Sequence, residues 1–148
     1  MTAPPFTAEQ IRDATPAGKR IRFRNKAADT PVKFTEIRFV AVDKENATFE
    51  RHTLDAEGKS ASMDGTSTES WASLRDHAAF PAEYTTQSLS EVNVPFGSFP
   101  ALHYLVEDPE KDSETRYWFS RQHPGPPLKV EVLSRGKRVF LMEMLPQP

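Results

Sequence analysis

The spacing of apolar residues changes period several times along this chain. Near the start, Thr7 and Gln10 stand at the separation of a capping box, while Phe6 and Ile11 fall at the two positions of a hydrophobic staple. A short helix is predicted there, ended by Pro16 and Gly18. From Lys19 the period drops to two. In KRIRFRNK the cations Arg20, Arg22, Arg24 and Lys26 share one side of a strand, and Ile21 and Phe23 take the other. VKFTEIRFVAVD predicts a longer strand with Ile37, Phe39 and Ala41 on one face. A turn at Asp43 to Asn46 leads into a third, ATFERHTLD, which completes a meander before Ala56-Glu57-Gly58.

Ser60 to Thr68 contains no bulky residue except Met63, so it reads as a loop or a weak edge strand. A second short helix is predicted near 69–79, where Trp71, Leu74 and Ala78 form one stripe, Thr66 and Glu69 have capping-box spacing and Pro81 blocks continuation. Strands then follow one another to the end. TTQSLSEVNV precedes Pro95-Phe96-Gly97, which suits a three-residue hairpin loop. FPALHYLVED and TRYWFSRQ flank the acidic turn from Asp108 to Glu114, and LKVEVLS and KRVFLMEML flank Arg135-Gly136. The total is about eight strands and two helices, with no repeat and no internal linker, so one β-rich domain over 1–148 is expected.

Neighbouring residues in a strand point to opposite faces, so in Tyr117-Trp118-Phe119 the middle ring parts from the outer two. The last strand doubles in the same way, with Val139 and Leu141 alternating against Phe140, Met142 and Met144. A flat sheet with one wet face would alternate cleanly between apolar and polar. The fold class expected is therefore mainly β: a curved antiparallel sheet forming a barrel or half-barrel, its outside partly packed by the helices. The connector HPGPPL then reads as architecture, with Pro124-Gly125 at the centre of a turn and Pro126-Pro127 holding the chain extended.

The run Phe96-Gly97-Ser98-Phe99, then Tyr117-Trp118-Phe119, then Pro126-Pro127-Leu128-Lys129 and a final hairpin ending in Leu145 resembles a group of uncharacterised bacterial proteins with an open, lipoprotein-carrier-like β-barrel. It covers about the last third of the chain. The resemblance implies a curved sheet wrapped near a helix and an apolar ligand, and it carries over no functional residue. Members of that group are usually exported, whereas MTAPPFTAEQ shows no charged leader and apolar run.

Composition narrows the functional classes. The chain has 148 residues, the size of one domain, and its ten Phe, three Tyr and two Trp supply core material. Nineteen Lys and Arg against 21 Asp and Glu leave a net charge of -2, so nothing draws the whole molecule to nucleic acid or an anionic membrane. The absence of Cys excludes disulfides and thiolate chemistry. With no membrane-spanning window and no leader, a cytoplasmic protein is expected.

Candidate chemistry is sparse. His52, His77, His103 and His123 lack the ligand spacing of a compact metal site, and no Gly-x-Ser-x-Gly elbow occurs. The arginine row places cations roughly 6.6 Å apart, which could meet phosphates, but a solvated edge strand is the commoner use of such a pattern. No aromatic shares that face, so nucleic acid is not the expected partner. The curved interior remains: Trp71, Tyr104, Trp118, Phe119 and Met142 are the candidate ligand-binding residues. The expected function is a non-enzymatic binding module for an apolar small molecule or a partner peptide, with no cofactor, no metal and no catalytic residue. The alternative is a structural or assembly protein that self-associates as a homo-oligomer or docks into a larger complex.

Overall fold

A computed structural model describes residues 1–148. Helix α1 (Ala8–Ala14) is capped as its sequence requires. Thr7 Oγ1 accepts from the Gln10 N–H at 3.1 Å, and Gln10 Oε1 accepts from the Thr7 N–H at 2.9 Å. The staple pair Phe6 and Ile11 is buried. Nine strands follow: β1 (Arg20–Ala27), β2 (Lys33–Val42), β3 (Asn46–Leu54), β4 (Ser60–Ser70), β5 (Thr85–Val94), β6 (Gly97–Asp108), β7 (Ser113–Phe119), β8 (Lys129–Ser134) and β9 (Lys137–Met144). Helix α2 (Trp71–Asp76) leaves β4 directly.

All nine strands form one antiparallel sheet in the order β4-β3-β2-β1-β9-β8-β7-β6-β5. Two meanders are thus joined where the first strand pairs with the last, with Phe23 opposite Met144 and Asn25 opposite Met142. β4 and β5 are free edges, so the sheet does not close. It does bend. In a flat sheet β3 and β7 would lie about 24 Å apart at five strand spacings, yet Phe49 of β3 and Phe119 of β7 wall the same cavity. The Phe96 N–H at the β5–β6 tip donates to Met144 O of β9 at 3.0 Å. Both helices lie on the concave side, where Phe6 meets Phe119 edge to face at 6.1 Å.

The stretch read as a loop or weak edge strand is the edge strand β4. Its Ser and Thr side chains give no apolar alternation, and backbone pairing with β3 plus hydroxyl contacts such as Thr48 to Thr68 (2.9 Å) hold it instead. Thr66 therefore lies inside a strand. The cap of α2 is Ser70, whose Oγ accepts from the Ser73 N–H at 3.0 Å. The β5–β6 turn is also shorter than expected: Val94 pairs with Gly97, leaving only Pro95 and Phe96 between them. Arg135 and Gly136 form the expected tight hairpin, with φ of 51° and 77°.

The helices do not roof the outside of the sheet. Tyr117 and Phe119 face the concave side, while Trp118 faces outward, where the His103 ring stacks on it at 4.4 Å and Lys129 Nζ lies 5.0 Å from its centroid. Side chains of adjacent strands cover the outer apolar rings, which is why alternation fails without a second layer.

β1 is not a solvated edge strand but lies between β2 and β9. On its outer face Arg22 Nε donates to Glu36 at 2.5 Å, Arg38 bonds the other carboxylate oxygen, and Arg20 lies 4.0 Å away. Arg22 also donates to Gly58 O in the β3–β4 turn, at 3.0 Å. Glu36 is 0% exposed. Burial acts against its charged form, yet hydrogen bonds from Arg38 and Arg22, and then their charges, outweigh it, so the carboxyl titrates below its ordinary value of 4.5. Glu36→Gln leaves the arginines facing one another and should cost about 2–4 kcal/mol at neutral pH. A depressed folded-state pKa contributes stability that is present above about 4.5 and lost as pH falls through the folded value. The urea midpoints of wild type and variant should therefore differ at pH 7 and converge as the pH is taken below 4.5 through the folded value. An equal gap on both sides of that value would show that Glu36 acts through its shape rather than its charge.

Candidate functional site

A cavity of about 230 Å³ lies between the helices and the concave face of the sheet. Three adjacent strands build its floor, because in-register alternation sends Ile21, Ile37, Phe39 and Phe49 to the same side. Ile21 pairs with Ile37 across β1 and β2, and Phe39 with Phe49 across β2 and β3, ring centroids 5.6 Å apart. Ile11 of α1 and Leu74 and Ala78 of the α2 region form the lid. Tyr117 and Phe119 close the far wall, with Phe80 stacked on Tyr117 at 4.6 Å. The connector expected to be plain architecture is also part of the site: Gly125, at φ 138°, turns Pro126 and Pro127 onto the cavity wall.

Polar groups in the wall are few. The Thr15 hydroxyl is already spent on Ile11 O at 2.7 Å. Glu69 accepts from Ser73 Oγ at 2.9 Å, and the same carboxylate oxygen lies 2.9 Å from His77 Nε2. Arg51, exposed at the mouth, donates to Ser67 Oγ at 2.8 Å, and its guanidinium carbon lies 5.1 Å from the Phe49 centroid. A second hollow of about 240 Å³ shares Thr15, Ile21 and Pro126 with the first and includes His123 and Phe96. There the His123 ring sits edge-on to Phe96 and Phe99, both at 4.8 Å. Burial, and then the nearby Lys19 charge, hold this imidazole below its ordinary pKa. No group of three His, Asp or Glu side chains converges to hold a metal.

The structure separates the five residues singled out from sequence. Phe119 is in the cavity wall. Tyr104 lies on the same face but away from the opening, with its ring 5.6 Å from that of Phe119 and its hydroxyl donating to Ala3 O at 3.3 Å. Trp71 anchors α2, its indole N–H donating to Asp43 O at 2.9 Å. Met142 packs against the core without reaching the cavity, and Trp118 is on the opposite face. Sequence reasoning missed Phe39, Phe49 and Arg51 as a set. Each alternates legibly in its own strand, but only the β2–β3 register places Ile37 opposite Arg51.

No protein-family model matches the sequence, and no curated protein matches it significantly. Solved structures do share its fold. A putative exported protein with a YmcC-like fold from Bacteroides fragilis has a TM-score of 0.57 at 12% identity, covering 99% of this chain and 100% of that one. MucB has a TM-score of 0.59 at 13% identity over 95% of this chain, which spans 56% of the MucB chain. A putative lipoprotein from Parabacteroides distasonis gives 0.54 at 7% identity, over 91% and 98% of the two chains. These neighbours correct the expected cytoplasmic location, since the two that are described by location or anchoring are a putative exported protein and a putative lipoprotein. The absence of Cys is neutral on this point, because a chain without Cys has no redox chemistry to constrain its compartment. The expected resemblance therefore holds in its coarser part, a fold shared with bacterial proteins described as a putative exported protein and a putative lipoprotein, and that fold extends along nearly the whole chain.

Proposed function

We propose that this protein is an extracytoplasmic binding module that takes an apolar small molecule into the cavity beneath α1 and α2. The observation that carries the reading is the cavity itself, whose floor, lid and far wall are apolar. A dry apolar hollow of about 150 Å³ accepts benzene, and drug-sized sites begin near 300 Å³. At about 230 Å³ the space suits one slender chain or ring. Binding is favoured over catalysis by the arrangement of its polar groups. Ser73, Glu69 and His77 do meet, but the carboxylate stands in the middle and holds both partners, so the serine hydroxyl is turned toward Glu69 and not toward the His77 imidazole as in a nucleophile–histidine pair. No helix is long and apolar enough to cross a membrane.

The test is displacement of the neutral fluorophore 1-aminoanthracene by 1-octanol. Wild type should bind the probe, and Ala78→Phe, which fills the lid side of the cavity, should weaken it about tenfold or more with little change in thermal midpoint. Trp118→Ala, on the opposite face, should leave probe affinity within about twofold. A larger loss there would move the site to the outer face, and no probe binding by wild type would end the reading.

Self-association has its own observation. Edge strand β5 carries no Lys, Arg or Pro, pairs with β6 without a bulge and exposes 82% of Leu89. The other edge, β4, is broken by two bulges and carries Asp64. An antiparallel second copy centred on β5 would set Leu89 against Leu89 and Gln87 against Glu91, with no like charges opposed. Light scattering should then show a weak dimer that Leu89→Lys dissolves, and a monomer at every concentration up to about 1 mM would remove this role.

A further inference from the structure

We propose that the ligand of this cavity is a single-tailed amphiphile with an anionic head, held at the mouth by Arg51. The inference rests on the binding reading above and specifies the chemistry of the occupant. Besides the Tyr117 phenol, whose ionised form burial disfavours, three ionisable groups stand in the cavity wall: Arg51, Glu69 and His77. Two of them satisfy each other, since Glu69 Oε1 lies 2.9 Å from His77 Nε2 and accepts from the Ser73 hydroxyl as well. Arg51 takes part in none of the ion pairs of the protein, which engage Arg12, Arg20, Arg22, Arg24, Arg38, Arg75, Arg116 and Arg138 instead. Its single side-chain partner is a neutral hydroxyl, Ser67 Oγ. Most of its five N–H donors are therefore free to meet an acceptor.

Its orientation is also set. The Ser67 contact fixes one end of the guanidinium, and the Phe49 ring lies beneath it at 5.1 Å. Phe49 is at the same time part of the apolar floor, so one ring joins the charged mouth to the interior. A planar fork held in this way matches a carboxylate or phosphoryl oxygen pair better than a point charge would. The opposite end of the molecule must be slender, because the space behind Arg51 is about 230 Å³ and is walled by Phe39, Phe119 and the Pro126-Pro127 edge. A linear alkyl chain fits that shape. A fatty-acid carboxylate and the phosphate of a lipid share the required head chemistry, and the experiment separates them.

Isothermal titration of decanoate, decyl phosphate and 1-decanol into the full chain tests the proposal. Wild type should bind one or both anions about tenfold more tightly than decanol, with the better of the two identifying the source. Arg51→Gln should abolish that preference, bringing the two anions to the affinity of decanol, and Arg51→Lys should retain only part of it. Raising the salt should weaken the anions alone. Arg51 is exposed, so Arg51→Gln should fold with an unchanged thermal midpoint. Equal affinity of wild type for decanoate, decyl phosphate and decanol would overturn the anionic head while leaving the apolar cavity standing. Anion affinity undiminished by Ala78→Phe would also overturn it, by showing surface attraction without entry of the tail. Failure of all three to bind would bring down this inference together with the binding reading.

Discussion

The pairing of β1 with β9 is the constraint from which the rest follows. Each meander on its own presents a set of large apolar side chains to one side and has nothing to cover them. Joining the first strand to the last makes one sheet of nine strands and brings Phe23 opposite Met144. The combined sheet coils, and Phe39 and Phe49 of one meander come to face Tyr117 and Phe119 of the other across a space that two short helices can lid. The outer face secures the same strand by different means, because Glu36 gathers Arg20, Arg22 and Arg38 around one buried carboxylate. Glu36 alone of that group is shielded from water, and a shift of β1 against β2 would separate its buried carboxylate from Arg22.

The lid over the cavity is built from short helices and a proline-stiffened connector. α1 and α2 are seven and six residues long, too short to follow the curve of the sheet. Pro126 and Pro127 stiffen the connector at the edge. The large rings nearest the opening are already paired with one another, Phe80 on Tyr117 and Phe39 on Phe49, and turning one inward would break an aromatic contact. An apolar floor with a stacked, carboxylate-free guanidinium at the mouth is what remains.

Sequence patterning carried much of this. The capping box and staple at Phe6 to Ile11, the tight turn at Arg135-Gly136 and the period-two strands were readable because each depends on residues a few positions apart. β4 was ambiguous for the same reason reversed: Ser60–Ser70 has hardly any apolar side chains, and its strand state comes from hydrogen bonds to β3. Arg20 to Lys26 has the alternation of an edge strand, yet its neighbours β2 and β9 come from positions far away in the chain.

The sequence by itself determined a mainly β chain with apolar residues on both faces of its later strands, since alternation and turn chemistry are local properties of the backbone. Only the tertiary structure decided which of the two faces the helices lid, so that Phe119 and not its neighbour Trp118 walls the cavity, and that Arg51 sits over Phe49 at its mouth. Which strands become neighbours, and which face the helices cover, depends on bending a nine-stranded sheet around side chains drawn from both ends of the chain. No short window of residues contains that information.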